Sequence, residues 1–382
     1  MKIGIFTGTR ADYGLLKPLI HRVFKSGSDE LCLIVTGMHL SPEFGLTYRE
    51  IENDGFPMAE KIEILLSSDT TVGLGKSMGL ATISYVECLE RQRPDIVVIL
   101  GDRFEALAMA QAAMVSRIPL AHISGGDVTI GQIDEAIRHS ITKMSHLHFA
   151  STEAYRKRII QMGEAPERVF NVGALGVESA LNLKLMDRES LETSIGFAIK
   201  APTALLTFHP VTLENATAKA QFDELLMALN EFPDLRVIFT KANADADGRM
   251  INQMIDDYTQ TRANTIAFTS LGQLRYLSCL QYVDFVIGNS SSGITEVPSF
   301  KIATINIGDR QKGRLQADSV INCGPNKTVI VESIQKALSV EFRTSFKNLQ
   351  NPYEKSQTSE CIFKTLKSYD LKGILKKSFY DL

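Results

Sequence analysis

Cysteine is scarce and poorly placed for cross-linking: the 382 residues include five, Cys32, Cys88, Cys279, Cys323 and Cys361. The odd number and wide spacing exclude a disulfide framework and a CxxC metal or redox motif, so a reducing, cytoplasmic compartment is expected. No apolar run approaches the roughly 18 residues of a membrane span. Charges in the first dozen residues, Lys2, Arg10 and Asp12, come too early for a signal-peptide core. No membrane partner is expected. A basic excess is missing as well: 41 Lys plus Arg against 44 Asp plus Glu leave a net charge of −3, which argues against a nucleic-acid partner.

No short repeat or low-complexity tract is present, and no GxGxxG fingerprint follows the first strand. The run Gly73-Leu-Gly75-Lys76-Ser77 imitates a P-loop, but Thr70 stands where that motif needs its first glycine. It reads as a glycine-containing loop ahead of a helix. His146 and His148 alternate near a strand without a third ligand at metal spacing. No nicotinamide, no metal and no other cofactor is therefore expected.

What is present is an ordinary globular composition, 44% hydrophobic and 22% charged, in a chain long enough for two or three domains. Short Val- and Ile-rich runs alternate with segments of helical periodicity, the pattern of βαβ units around a parallel sheet. Strands are predicted at Lys2–Thr7, Leu31–Thr36, Asp95–Leu100, Leu120–Ile123 and Leu147–Ala150. A second series runs through Thr203–Thr207, Val237–Thr240, Thr265–Phe268, Phe285–Ile287 and Ala303–Asn306. The fold class is α/β, with two doubly wound, Rossmann-like domains: 1–180, a polar linker at 181–200, and 201–358, followed by a tail at 359–382. Ligands in such folds bind beyond the carboxyl ends of the strands, so the active site is expected in the cleft between the domains.

Polar residues directly after the predicted strands are the candidates for chemistry. Gly8-Thr9-Arg10-Ala11-Asp12 leaves the first strand, with Asp12 as the expected helix cap and Arg10 suited to a phosphate. Gly101-Asp102-Arg103 ends a buried strand, where Asp102 serves either as a cap or as an acid or base. Ser124-Gly-Gly-Asp127 leads to Asp134 and Glu135 in the first turn of a helix whose buried face is marked by Ile133, Ile137, Ile141 and Met144. The glycine pair would let the backbone pass close to a ligand. His209 follows the first strand of the second series, and Gly288-Asn-Ser290-Ser291-Ser292-Gly293 outlines a phosphate cradle with Glu296 one turn on. Arg310 and Arg314 add cations.

Together these segments, from Thr7-Gly-Thr-Arg10-Ala-Asp through Gly101-Asp-Arg-Phe-Glu, Ile133-Asp-Glu-Ala-Ile-Arg-His, Phe208-His-Pro and Gly288-Asn-Ser-Ser-Ser-Gly to Asp309-Arg-Gln-Lys-Gly-Arg314, resemble the hydrolysing UDP-N-acetylglucosamine 2-epimerases. The resemblance implies a GT-B arrangement with the tail crossing back to the first domain, and a homo-oligomer, dimer or tetramer. It implies a UDP-sugar partner bound by Arg10, Arg103, Asn243, Ser290, Ser291, Ser292, Gly293, Glu296, Arg310 and Arg314, and catalysis by Asp102, Asp127, Asp134 and His209. UDP would be lost from C1 together with the C2 proton, giving a glycal that is hydrated to N-acetylmannosamine for sialic-acid-type biosynthesis. Many members carry Glu where this chain has Ser124, and Glu where it has Asp127, so Asp127 is the nearest replacement for a third carboxylate. Competing readings are the same chemistry on UDP-2,4-diacetamido-2,4,6-trideoxyglucose, a non-hydrolysing epimerase, a GT-B glycosyltransferase and a silent nucleotide-sugar sensor.

Overall fold

The structure, a computed structural model, describes residues 1–66, 68, 70–130, 133–210, 217–242 and 248–382. Its first sheet has seven strands: β1 (Lys2–Thr7), β2 (Glu30–Thr36), β3 (Met58–Ile62), β4 (Ile96–Leu100), β5 (Leu120–Ile123), β6 (Leu147–Ala150) and β7 (Val169–Asn171). The second has six: β8 (Thr203–Thr207), β9 (Arg236–Thr240), β10 (Thr265–Phe268), β11 (Phe285–Gly288), β12 (Ala303–Ile307) and β13 (Val320–Cys323). Their orders are β3-β2-β1-β4-β5-β6-β7 and β10-β9-β8-β11-β12-β13, and the paired strands run parallel. The winding reverses between β1 and β4 and between β8 and β11, the places where open α/β sheets form ligand crevices.

The central strands form because they are continuous apolar runs buried on both faces; Ile3, Ile5, Val97, Val98, Leu205 and Leu206 are fully inaccessible. The edge strands β3, β7 and β13 escape prediction from sequence. β3 alternates partly buried with exposed residues, β7 has three residues, and β13 is buried at one position only, so none presents an apolar run.

Two compact units result, one of Met1–Asp127, Asp134–Ser179 and Lys355–Leu382, the other of Val128–Ile133 and Ala180–Glu354. The boundaries differ from the expected 1–180, 181–200, 201–358 and 359–382. Residues 181–200 are no free linker: Asp187 caps the helix Arg188–Ile195, and Leu191, Ile195, Phe197 and Ile199 pack into one core with Leu205 and Ile238. The four buried apolar residues are interspersed with charges and exposed positions, which leaves no continuous apolar run to signal burial. Val128–Ile133 belongs to the second unit. In the first unit, the helix Thr358–Ser368 buries Ile362 and Leu366 against Ile20 and Val23 of the helix Arg10–Lys25.

Two further local expectations fail. Gly73–Ser77 lies inside the helix Thr71–Gln92, because the Thr70 hydroxyl accepts from Gly73 N and starts the helix before the glycines. Ile133 is 45% exposed and leaves the buried face to Ile137 and Ile141.

Candidate active site

In the first unit β1 ends at Thr7, and the helix Arg10–Lys25 is capped by Thr9, whose hydroxyl accepts from Asp12 N at 3.2 Å. Asp12 is therefore not the cap expected from its position. Burial pushes its carboxyl up to about 6, against the opposing pull of Arg103 and the Thr9 hydroxyl. Arg10 meets Glu50, Nε to Oε1 at 2.9 Å, so any anion recruiting this guanidinium must compete with a carboxylate. Arg103, expected to hold substrate, forks onto the buried Glu105 at 3.2 and 3.3 Å.

Asp102 follows β4 and Gly101, which turns at φ +77°. Its carboxylate is held by Arg138, a guanidinium 1% exposed on the helix Asp134–Met144. The same guanidinium donates to the Asp127 carbonyl at 3.0 Å and to Glu135 Oε2 at 2.9 Å. Arg138 thereby gathers the residues after β4, the loop after β5 and the first turn of the helix that begins at Asp134. Sequence reasoning missed it as a site residue. The signal was there: an arginine between the apolar positions Ile137 and Ile141, at i+4 from Asp134, lies on a helix face with acids as its neighbours.

Asp127 is 8% exposed and accepts from Ser151 Oγ at 3.0 Å. The preceding glycines are required by packing. A Cβ at Gly126, itself at φ +75°, would lie 2.6 Å from the Tyr155 carbonyl oxygen, and one at Gly125 would lie 3.0 Å from His122 Nδ1 and Thr142 Oγ1.

In the second unit Asn289, just past β11, joins three strand ends. Its side chain accepts from His209 N and donates to His209 O, both at 2.7 Å. Its own carbonyl accepts from Arg310 at 3.0 Å and Gln311 at 2.8 Å. Asn289 was legible only as part of a small-residue turn. His209 is 8% exposed, and burial, with Arg310 nearby, drives its pKa down to about 3, so the ring is neutral near neutral pH. Among the described residues its Nδ1 has no hydrogen-bond partner.

The cradle is smaller than expected. Its helix is one turn, Ser292–Thr295, succeeded by the 3-10 turn Val297–Phe300. Gly293 N already donates to Ser290 O at 3.2 Å and Ile294 N to Ser291 O at 2.9 Å, so a large helix dipole is not available and the serines themselves carry the polarity. Gly293 is a packing residue too, since a Cβ there would lie 2.8 Å from Thr304 Cγ2. Glu296 accepts from Thr295 Oγ1, and burial holds its carboxyl above the usual range. Arg314 is occupied elsewhere, donating to the Val128 carbonyl at 2.7 Å and to Thr129 Oγ1 at 3.3 Å. Asn243, the remaining expected contact, lies outside the described residues.

The histidines set aside from the sequence have structural partners: His148 meets Glu164 at 3.0 Å, and His146 Nδ1 accepts from Leu120 N. Among the described residues no group of three His, Cys, Asp or Glu side chains is arranged to hold a metal ion.

Burial of neutral imidazoles sets a pH dependence of stability. His39 and His146 are pushed down to about 4, and His122 and His209 to about 3, in each case chiefly by desolvation. Unfolded, each titrates near ~6.5, so below that pH the unfolded chain binds the extra protons and stability drains as pH falls. Linkage gives about 1.4 kcal/mol lost per imidazole between about pH 7.5 and 5.5. Three of the four lie in the first unit, where the raised Asp12 offsets just under about 1 kcal/mol, leaving a loss of about 3 kcal/mol. Urea unfolding at the two pH values checks this; equal stability at both would contradict the buried neutral rings.

With this geometry in hand, comparison with known proteins is informative. The chain matches the family model described as UDP-N-acetylglucosamine 2-epimerase over residues 22–367. It is 43% identical to the hydrolyzing GDP/UDP-N,N'-diacetylbacillosamine 2-epimerase of Campylobacter jejuni, over 100% of this chain and 99% of that one. Identity is 39% to the polysialic acid biosynthesis protein P7 of Escherichia coli, over 100% and 97%. It is 35% to the hydrolyzing UDP-N,N'-diacetylbacillosamine 2-epimerase of Legionella pneumophila, over 97% and 96%. A crystal structure of UDP-GlcNAc 2-epimerase from Neisseria meningitidis bound to UDP-GlcNAc superposes with TM-score 0.81 at 18% identity, covering 97% of this chain and 100% of that one. That likeness shows the fold, two Rossmann-like units of the GT-B class.

Proposed function

The chain belongs to the UDP-N-acetylglucosamine 2-epimerase family, and on that premise we propose that it is a hydrolysing 2-epimerase of a UDP-linked 2,4-diacetamido-2,4,6-trideoxyhexose. The products are UDP and the free sugar inverted at C2. The observation that carries the choice of sugar is the full-length similarity to two relatives named for that substrate, at 43% and 35% identity.

The chemistry sorts onto the two units. Breaking the C1–O bond to UDP and removing the C2 proton gives a glycal; water then adds at C1 while C2 takes a proton on the opposite face. A proton at C2 is weakly acidic, so elimination depends on stabilising the departing diphosphate. In the second unit Arg310, His209, Ser290 and Ser291 supply that stabilisation and Glu296 accepts from ribose hydroxyls. In the first, Arg10 exchanges Glu50 for a phosphate oxygen, and Asp102 and Asp134 take and return the proton. Asp127, already accepting from Ser151, stands in for the carboxylate that other members place at the position of Ser124. Arg103, committed to Glu105, and Arg314, committed to Val128 and Thr129, shape the loops around these groups.

UDP-N-acetylglucosamine is the second reading, favoured by the 39% identity to a protein of polysialic acid biosynthesis. Incubation with each nucleotide sugar, followed by proton NMR, decides between them. The expected result is free UDP and a manno-configured diacetamido sugar, with kcat/KM for UDP-N-acetylglucosamine lower by about tenfold or more. Equal or better turnover of UDP-N-acetylglucosamine reverses the assignment. A C2-inverted sugar still bearing UDP, or transfer only to an added acceptor, overturns the hydrolytic reading.

A further inference from the structure

The turn that presents Asp102 is held from β5 at both ends of one glycine. Gly101 N donates to the Ile123 carbonyl at 3.0 Å, and the Gly101 carbonyl lies 2.7 Å from His122 Nε2. A carbonyl oxygen has no proton to give, so Nε2 carries the hydrogen and Nδ1 is left as an acceptor. Thr142 Oγ1 lies 3.2 Å from that Nδ1 and 3.0 Å from the Arg138 carbonyl, so its one hydroxyl hydrogen is shared between the two acceptors. Thr142 stands on the helix Asp134–Met144, one turn after Arg138 and two turns after Asp134. One imidazole therefore touches both the turn that carries Asp102 and the helix that carries Asp134.

We propose that His122 is a positioning residue for the 2-epimerase reaction, which fixes the backbone of Asp102 against that of Asp134. The inference rests on the carboxylate roles proposed above and adds the device that sets their spacing. Three features suit the ring to this task. It is completely inaccessible, with a relative exposure of 0%, so no water competes for either nitrogen. Burial drives its pKa down to about 3, so neither hydrogen bond changes character over the range in which a proton-transferring enzyme works. Gly125 makes room for the ring, since a Cβ there would lie 3.0 Å from Nδ1. Arg138 holds the Asp102 carboxylate, and His122 holds the carbonyl of the peptide bond that leads into Asp102.

Two substitutions separate this role from mere packing. A glutamine amide reaches about as far as Nε2 and can donate to the Gly101 carbonyl, whereas an asparagine amide reaches only as far as Nδ1 and keeps Thr142 alone. His122→Asn is expected to lower kcat by about 10²-fold with KM within about threefold, because misplacing a reacting group by about 1 Å costs that much. His122→Gln is expected to recover most of the loss, to within about tenfold of the parent. Equal kcat losses in both variants, or kcat within about threefold of the parent in His122→Asn, would overturn the positioning role. If neither variant folds, 15N spectra of the unsubstituted protein decide. A ring protonated at Nε2 and not titrating from about pH 5.5 to about 8 supports the proposal, and an Nδ1–H or titrating ring overturns it. Turnover by the unsubstituted protein keeps the two readings apart: no UDP release from either nucleotide sugar defeats the proposed function, whereas normal release with equal variants defeats His122 alone.

Discussion

Asp102→Asn is expected to lower kcat by about 10²- to 10⁴-fold while leaving the protein folded, the usual size of a lost general acid or base. The substitution is close to isosteric. An asparagine oxygen can still accept from Arg138, which holds the native carboxylate from a site 1% exposed to solvent, so the contact that ties β4 to the helix Asp134–Met144 survives. What disappears is the ability to carry a proton. Asp102 itself is 24% exposed, which leaves it accessible to a substrate. Measuring kcat and the thermal midpoint on the same sample checks the prediction. A kcat within about fivefold of the parent would remove Asp102 from proton transfer and leave it a purely structural acid.

Arg138→Met is expected to destabilise the first unit strongly. Removing the guanidinium leaves the Asp102 and Glu135 carboxylates and the Asp127 carbonyl without the donor they share. Breaking a buried pair from one side costs about 3–5 kcal/mol, and the lower end of that range, about 3 kcal/mol, is expected here because the Asp102 and Glu135 carboxylates are 24% and 30% exposed and regain part of their hydration. For a protein of this size that is a midpoint lower by roughly 10 °C, at about 2–4 °C per kcal/mol. Arg138→Lys restores the charge but not the fork, so it should recover only part of the stability. Activity should fall in both variants, and the Arg138→Met and Asp102→Asn effects on kcat should be far from additive, since the two groups act through one contact. A midpoint within about 1 °C of the parent for Arg138→Met would show that the cluster contributes nothing to stability.

The core strands, and the strand ends at which the candidate residues stand, were legible before any coordinates. Continuous apolar runs such as Ile96–Leu100 and Phe285–Gly288 can be little else than buried parallel strands. A residue just after such a strand lies at its carboxyl end, so Arg10, Asp102, His209 and Ser290 were singled out as candidates by position alone. Their partners were not. Arg10 with Glu50, separated by 40 residues, and Asp102 with Arg138, separated by 36, leave no local trace, because in each case the partner is chosen by the crossover that returns the chain to the sheet. The Gly125-Gly126 pair shows the same limit from the other side: a glycine needed for packing under Tyr155 and a glycine needed for a ligand look alike in one dimension.

Periodicity and residue type thus settle the alternation of strands and helices, the doubly wound class and the strand ends at which polar groups collect, since each depends on interactions within a few residues. The family motifs, read in order along the chain, add the class of reaction. Only the tertiary structure decides which charges meet, that Thr9 and not Asp12 caps the first helix, that Leu191, Ile195, Phe197 and Ile199 pack into a core, and that Arg138 and Asn289 organise the two sets of candidate residues. The physical reason is burial. An arginine or asparagine stripped of water must find its donors and acceptors among whatever the fold brings within about 3 Å, and that set is assembled across the sheet rather than along the chain.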